Sequence, residues 1–564
     1  MQLLRKLVNC TLALSSLTST CFAGCSDNSC TTHVYTHKPR VSQLQHVTNL
    51  SRLPPDLTCL SLNNPAELTG YAFYQNVAFD PQIAINPTNP KNIILVAQQD
   101  TLSNAHYNSA LPLSIIVLYT FDSGRTWNQS DLVLSRCQGA TNYKANDNFL
   151  AAYFPSITFD PEGNCYVLST SYNLFAASQM PEINTDEGNI IAKSIDGGIS
   201  WNRVSYAFRD DGSCHFLDSP QIRADPYRKN TLYTISTDAT CMLTDVCTEP
   251  GFNGNLNITF QKSTDAASSW TPMSLIASFP PVSPTVCAPW PLLNQIEVLP
   301  DSTHTLVVSA ILENSPPDSV VSTPYDEILA WRSTDGGDTW NMYTVAENIP
   351  HVIVVDPDTI SPILPVTDFT TVDMAVSHCN GNIYIVYSDT QFTTSGQAGC
   401  VIRKSNDGGI TWSDPYPVNP NSLDTQAFLP TVAVAKDGTV GVLFYDFRNF
   451  TSGDPELYTD VWVAFFDKEL DTYYGEVRLT PESFNARKSI RGYNGVDQLN
   501  CLFDYYLSTR VDLTVQGNDF IAAFVVTNDF CEEATISTYP CDSFPLFRDD
   551  CNRQDIAFVR ICRH

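Results

Sequence analysis

The chain is poor in positive charge. Its 564 residues hold 31 Lys plus Arg against 60 Asp plus Glu, a formal net charge of −29 with a pI near 4.5. Such a surface repels phosphate backbones and anionic lipid, which excludes a nucleic-acid or membrane-surface partner. Beyond the first two dozen residues no apolar run is long enough to cross a membrane, so no transmembrane segment is expected. Cysteines are present but never in a CxxC spacing, which argues against a structural zinc site. Long helical periodicity is also missing. What fills the chain instead is turn residues, 36 Pro and 25 Gly, with 11% aromatics, the composition of an all-β protein built from short strands.

The start of the chain stands apart. Arg5 and Lys6 precede an apolar stretch from Leu7 to Leu17 and a small-residue exit at Phe22-Ala23-Gly24, which reads as a secretory signal peptide over residues 1–24. The neighbouring Cys25 gives a lipid-anchored alternative, because Phe22-Ala23-Gly24-Cys25 resembles a lipobox. Removing the leader takes Cys10 and Cys21 of the 18 cysteines and leaves 16, an even number suited to disulfides in an oxidising compartment. Cys241 with Cys247, and the group Cys531, Cys541 and Cys551, are the closest spaced. Four Asn-x-Ser/Thr sequons begin at Asn49, Asn128, Asn257 and Asn449.

One octapeptide, Ser/Thr-x-Asp-x-Gly-x-Ser/Thr-Trp, punctuates the chain. Copies start at Thr120, Ser194, Ser263, Ser333 and Ser405, spaced 74, 69, 70 and 72 residues apart, so one supersecondary unit is repeated. The Asp accepts from backbone N–H groups ahead of it, the Gly permits positive φ, and the Trp is an apolar anchor. Ala267 replaces the Gly in the third copy, which should be strained or reshaped. These residues resemble the Asp-box, or bacterial neuraminidase repeat, of the sialidase superfamily of β-propellers. The resemblance implies a peripheral turn between the third and fourth strands of a blade. Asp122, Asp196, Asp265, Asp335 and Asp407 are then scaffold residues.

A second repeat is a pair of alternating apolar strands, A and B, entered through a Pro or an acidic residue. Examples are Pro81-Gln-Ile-Ala-Ile with Ile93 to Gln98, and Pro220-Gln-Ile-Arg-Ala with Leu232 to Ser236. Seven such hairpins, five followed by a further strand and a box, predict a propeller of four-stranded antiparallel blades over residues 70–564. Seven blades are preferred, with six as the alternative. The last unit lacks a fourth strand of its own, so residues 25–69, near Thr58 to Leu62, should close the ring.

Ligands of propellers bind at the face built from residues just before strand A and just after strand B, opposite the boxes. That rule selects Asp80, Asp100, Asp218, Asp238, Trp290 and Asp389 as substrate-binding candidates. Asp446, Arg448, Asp504, Tyr505 and Arg510 are the candidates for catalysis. Similarity to sialidases implies a glycoside hydrolase acting on glycans, with three arginines gripping the substrate carboxylate and a Tyr nucleophile. Arg52-Leu53-Pro54 is the one look-alike of the first arginine motif, and the other nearby cations, Arg223, Arg448, Arg491 and Arg510, form no visible triad. The alternative is a non-catalytic propeller that binds glycan or protein at a cell or virion surface. No cofactor is required, while the gathered carboxylates could take Ca²⁺. Their charge opposes an anionic sugar, so a neutral or cationic glycan is expected to be preferred over sialic acid.

Overall fold

The computed structural model describes residues 39–48, 71–104, 110–132, 134–135, 149, 151–172, 186–211, 215–240, 255–281, 288–313, 325–350, 354–359, 363, 372–393, 396–493, 503–528, 547–549 and 554–563. Seven sheets follow one another along the chain, each numbered here as a blade with antiparallel strands A to D from the inside outward, and in blade 1 a short strand from the far end of the chain, Phe547–Asp549, adds in parallel to Tyr71–Ile85. The ring has seven blades, not six. Strand A of the successive blades is Tyr71–Ile85, Ala151–Phe159, His215–Ala224, Trp290–Val298, Val372–Val376, Ala427–Val434 and Asp512–Gln516. The helical content among the described residues is a single 3-10 turn, Ala486–Lys488.

Period-two alternation gives way to continuous burial where a strand is packed on both faces, as parallel and inner strands require. Strand B of blade 5 (Ile383–Asp389) and of blade 6 (Val440–Asp446) are buried at every position, whereas strand D of blade 6 (Tyr473–Arg478) is partly exposed throughout. Hydrophobic clusters accordingly sit between blades. Ile94, Val96 and Val117 of blade 1 pack on Ile157 and Val167 of blade 2, and Tyr384 and Ile402 of blade 5 pack on Val432 and Phe444 of blade 6.

The seventh blade is closed by the other end of the chain. Arg40 pairs with Cys562 and Val41 with Ile561, followed by Gln45 with Phe558 and His46 with Ala557. The closing strand therefore lies upstream of Thr58 to Leu62, a stretch outside the described residues together with Arg52 to Pro54. Thr48 continues the seam by donating its hydroxyl to Asp555 Oδ1 at 3.2 Å. The last described residue adds a second lock. Arg563, buried against Phe465 and Phe520, bonds Thr439 Oγ1 at 2.6 Å and faces Asp437 at 3.4 Å, tying blade 7 to blade 6.

All five octapeptides form the same turn between strands C and D. The first-position hydroxyl donates to Asp Oδ1, the fifth-position N–H donates to that hydroxyl, and the seventh residue gives its N–H to Oδ1 and its hydroxyl to Oδ2 at 2.5–2.7 Å. These bonds hold the Asp122 and Asp335 carboxyls down at about 2, led by the groups of Thr126 and Thr339 respectively. The third copy is strained and not reshaped. Ala267 keeps φ at +66°, beside +84° to +100° at the four glycines, and Ser263, Asp265 and Ser269 keep the bonds of the other copies. In the first, second and fourth copies a methyl has no room: a Cβ at Gly337 would stand 2.2 Å from the Phe260 ring, at Gly124 2.3 Å from Phe558 and at Gly198 2.8 Å from Ile94, whereas at Gly409 the nearest atom is 3.5 Å away. The turns lie at the end of the blades carrying the A–B loops, since Ser123 N–H bonds Lys91 O and Ala266 N–H bonds Asn230 O.

Among the described residues, Cys165 and Cys400 are buried inside blades 2 and 5, Cys562 is partly buried at the end of strand Gln554–Cys562, and none of these three is in a disulfide. Cys241, Cys247, Cys531, Cys541 and Cys551 lie outside the described residues. Among the sequons, Asn257 is buried, and its amide donates to Asp238.

Candidate functional site

At the end opposite the boxes, strand A begins with a shared irregularity. The residue preceding the strand's Pro takes a left-handed conformation at Asp80 (φ +52°), Phe154 (+47°), Ser219 (+48°) and Leu429 (+51°), and the pairing with strand B slips there. Non-glycine residues rarely adopt such φ, and its recurrence marks a built feature. The bulge aims the residue after each Pro at the central axis. Equivalent positions link each blade to the next: Gln82 Oε1 accepts Ile157 N–H at 3.2 Å, Ser156 Oγ accepts Ile222 N–H at 3.1 Å, Asp373 Oδ2 accepts Val432 N–H at 2.9 Å, and Asp512 Oδ2 accepts Ile83 N–H at 2.7 Å. Blades 3 and 4 are joined by Arg223 on both oxygens of Glu297, at 2.6 and 2.5 Å.

These inner strands enclose an axial cavity of about 220 Å³, to which all seven blades contribute. Arg510 sits at its mouth. The guanidinium lies over the Phe154 ring at 5.1 Å and is flanked by Asp80, Asp218, Asp373 and Tyr506, while its Nη1 has no hydrogen-bond partner. Gln221 Nε2 and Thr509 Oγ1 in the same lining are likewise unpartnered, although Gln221 is buried and its Oε1 accepts from Ser156. Beside Arg510, Asp218 accepts Ser219 N–H at 2.6 Å and the Trp290 indole N–H. Burial raises the Asp218 carboxyl from its ordinary value, against the opposing pull of these bonds and of Arg510. Burial of Asp512 in the channel likewise lifts its carboxyl to about 7.

The sequence candidates separate into four places. Arg510, Asp218 and Trp290 come together, with Arg510 lining the cavity and Asp218 and Trp290 beside it. Asp80 is adjacent, but its oxygens are occupied by Gln98 Nε2, Ser508 Oγ, Thr509 N–H and Arg510 N–H at 2.6–3.0 Å, so it fastens blade 7 to blade 1. Asp446 and Arg448 form a separate buried cluster in blade 6. Arg448 holds Asp446 Oδ2 at 2.5 Å, pairs with Glu476 and stacks on Trp462 at 3.8 Å, and none of these residues lines the axial cavity. Burial raises Asp446 to about 6. Asp238, with His215 Nδ1 at 2.8 Å, and Asp389, with Gln391 N–H at 3.0 Å, close the ends of strand B in blades 3 and 5. Tyr505 is buried in an added hairpin (Ile490–Tyr493 with Phe503–Tyr506) and faces Arg487; its neighbour Tyr506 faces Asp80 and Arg510 instead. The side chains of Asp100, Arg491 and Asp504 lie outside the described set.

Sequence reasoning missed Gln221, Thr509, Asp373, Tyr506 and Asp512. Aligning the strand A repeats on the position held by Gln82, Ser156, Gln221 and Thr431 after a Pro, and by Asp373 and Asp512 after a Val, would have selected Gln221, Asp373 and Asp512, because that one position lines the cavity in every blade. Among the described residues there is no grouping of three or more His, Cys, Asp or Glu fit to hold a metal ion.

The fold and this mouth define the class, a seven-bladed all-β propeller with its candidate site at the axis. No family model matches the chain, and no curated protein matches it. Solved structures do. A protein of unknown function from Dyadobacter fermentans is 10% identical with a TM-score of 0.40, the match covering 88% of this chain and 98% of that one. A Hadza microbial sialidase is 12% identical with a TM-score of 0.38, over 75% and 70% of the two chains. An α-L-arabinofuranosidase from Fusarium graminearum is 14% identical with a TM-score of 0.39, over 66% and 91%. Likeness of this degree is too slight to assign an activity.

Proposed function

We propose that this chain is an exported, glycan-directed propeller that acts as a glycoside hydrolase at the mouth of its axial cavity. The observation that carries the reading is the meeting of Asp218, Trp290 and Arg510 from blades 3, 4 and 7. A carboxyl whose hold on its proton is strengthened by burial is the kind of group a glycosidase uses to protonate a leaving oxygen. An indole beside it offers the apolar face on which a sugar ring stacks, and a guanidinium orients hydroxyls. The test is a panel of fluorogenic glycosides with the full chain and with Asp218→Asn. Turnover that falls at least a hundredfold in the variant, at unchanged melting temperature, supports it; no turnover on any glycoside, or turnover indifferent to Asp218, overturns it. N-terminal sequencing of the mature chain tests export.

A binding propeller without catalysis is the second reading. It is favoured by the engagement of Asp80, Asp238, Asp389 and Asp446 with partners inside the fold, which leaves none of these four free to serve as a second catalytic carboxyl beside Asp218. Retention of glycans on an array with no hydrolysis of the panel decides for it.

A further inference from the structure

Among the described residues the cavity lining has three unmatched polar atoms, Arg510 Nη1, Gln221 Nε2 and Thr509 Oγ1, of which the first two can only donate. Arg510 Nη1 and Gln221 Nε2 are buried atoms with no partner, and both residues line the cavity. Gln221 is 5% exposed, and its other amide atom is fixed by Ser156 Oγ, so the Nε2 is presented inward by a held side chain. A buried donor left empty costs free energy, and a ligand oxygen placed there recovers it. The ligand must therefore bring acceptors.

Charge decides which acceptors. Arg510 already stands among Asp80, Asp218 and Asp373, and the one other cation of the lining that is paired in charge, Arg223, is matched by Glu297. Even with Asp218 and Asp373 protonated, Asp80 offsets Arg510 and Glu297 offsets Arg223, so a carboxylate or sulfate on the ligand finds no spare cation there. A cationic ligand fares no better. The oxygens of Asp80 accept from Gln98, Ser508 and two backbone amides, and those of Asp373 accept from Gln295, Thr431 and Val432 N–H. What remains is a neutral molecule rich in oxygen. Size narrows it again: 220 Å³ is below the ~300–1,000 Å³ of pockets for drug-sized ligands, and an axial cavity is entered end-on.

Resting on the glycan reading above, we infer that the axial cavity takes the terminal residue of an uncharged glycan, one sugar ring whose oxygens accept from Arg510 Nη1 and Gln221 Nε2. The chain is then selective against acidic sugars and works on ends, not on the middle, of a glycan.

Calorimetric titration of the full chain with the methyl glycosides of galactose, glucose and arabinose, set against galacturonate and glucuronate, tests it. At least one neutral glycoside should bind about tenfold more tightly than either uronate. Gln221→Glu keeps the oxygen facing Ser156 and removes the donor; it should weaken the neutral ligand about tenfold, and Arg510→Lys should do the same. Asp335→Ala, at the far end of the blades, should leave the affinity alone, and melting curves of each variant confirm folding. Tighter binding of a uronate overturns this inference and spares the glycan reading. Neutral binding indifferent to both Gln221 and Arg510 overturns the placement in the cavity, the two donors then being hydrated only. Absence of binding by every sugar overturns both.

Discussion

Asp512 and Asp446 show how much an inner carboxyl depends on its surroundings. Both are raised by burial, to about 7 and about 6, so each holds its proton more tightly in the folded chain than in the unfolded one. The stability they contribute is present below the ordinary carboxylate range and is lost as pH rises through the folded values. Melting temperature should therefore fall between about pH 4 and pH 7, and Asp512→Asn should flatten that slope. A melting temperature rising steadily over that window would contradict it. Asp446→Asn is a harsher change, since it leaves Arg448 with Glu476 alone; breaking a buried pair costs about 3–5 kcal/mol, and denaturant titration should show a loss of that order without any effect on ligand affinity.

At the scale of the element, the repeated turn makes two contrasting predictions. Gly337→Ala forces a left-handed alanine and drives its methyl into Phe260, so it should destabilise by at least ~2 kcal/mol. Ala267→Gly relieves the same strain but empties a buried methyl site, two terms of about 1 kcal/mol that offset, and the midpoint in urea should hardly move. The turns and the A–B hairpins were legible in the sequence because their information is local: a hydroxyl, an Asp and a Trp at fixed offsets, and a period of two. The mouth was only half legible. Asp218, Trp290 and Arg510 were reachable by topology, since the ends of strands A and B must share one face. That Asp80 would be consumed by Ser508 and Arg510, more than 420 residues away, is a property of ring closure that no local pattern encodes. The left-handed residues before the prolines were missed for the opposite reason. Asp, Phe, Ser and Leu occupy them, and none of these announces positive φ as Gly does.

For the whole molecule, seven blades follow from seven hairpins, and the ring is only as strong as its seam. Removing residues through 48 takes away Arg40–Val41, Gln45–His46, the buried Val47 and the Thr48 bond to Asp555. It should lower the melting temperature sharply and expose strand Gln554–Cys562 as an unpaired edge, with aggregation measurable by light scattering. Truncation before Lys38 removes none of these contacts and should melt as the parent does. Equal melting of the two would refute the seam.

The pairing of Arg40 with Cys562 also sets an order of events in synthesis. Strands A to D of blades 1 to 6 can each pair from contiguous chain as they leave the ribosome, although blade 1 gains Phe547–Asp549 only near the end. The seventh needs a strand made at the beginning and one made at the end. Until residue 562 emerges, at roughly 5–20 residues per second, the early segment has no partner and the circle stands open. Newly made chains therefore pass through a horseshoe whose first and last blades both offer bare edges, and any factor that shields Arg40 to Thr48 during that interval would govern yield without touching the finished protein.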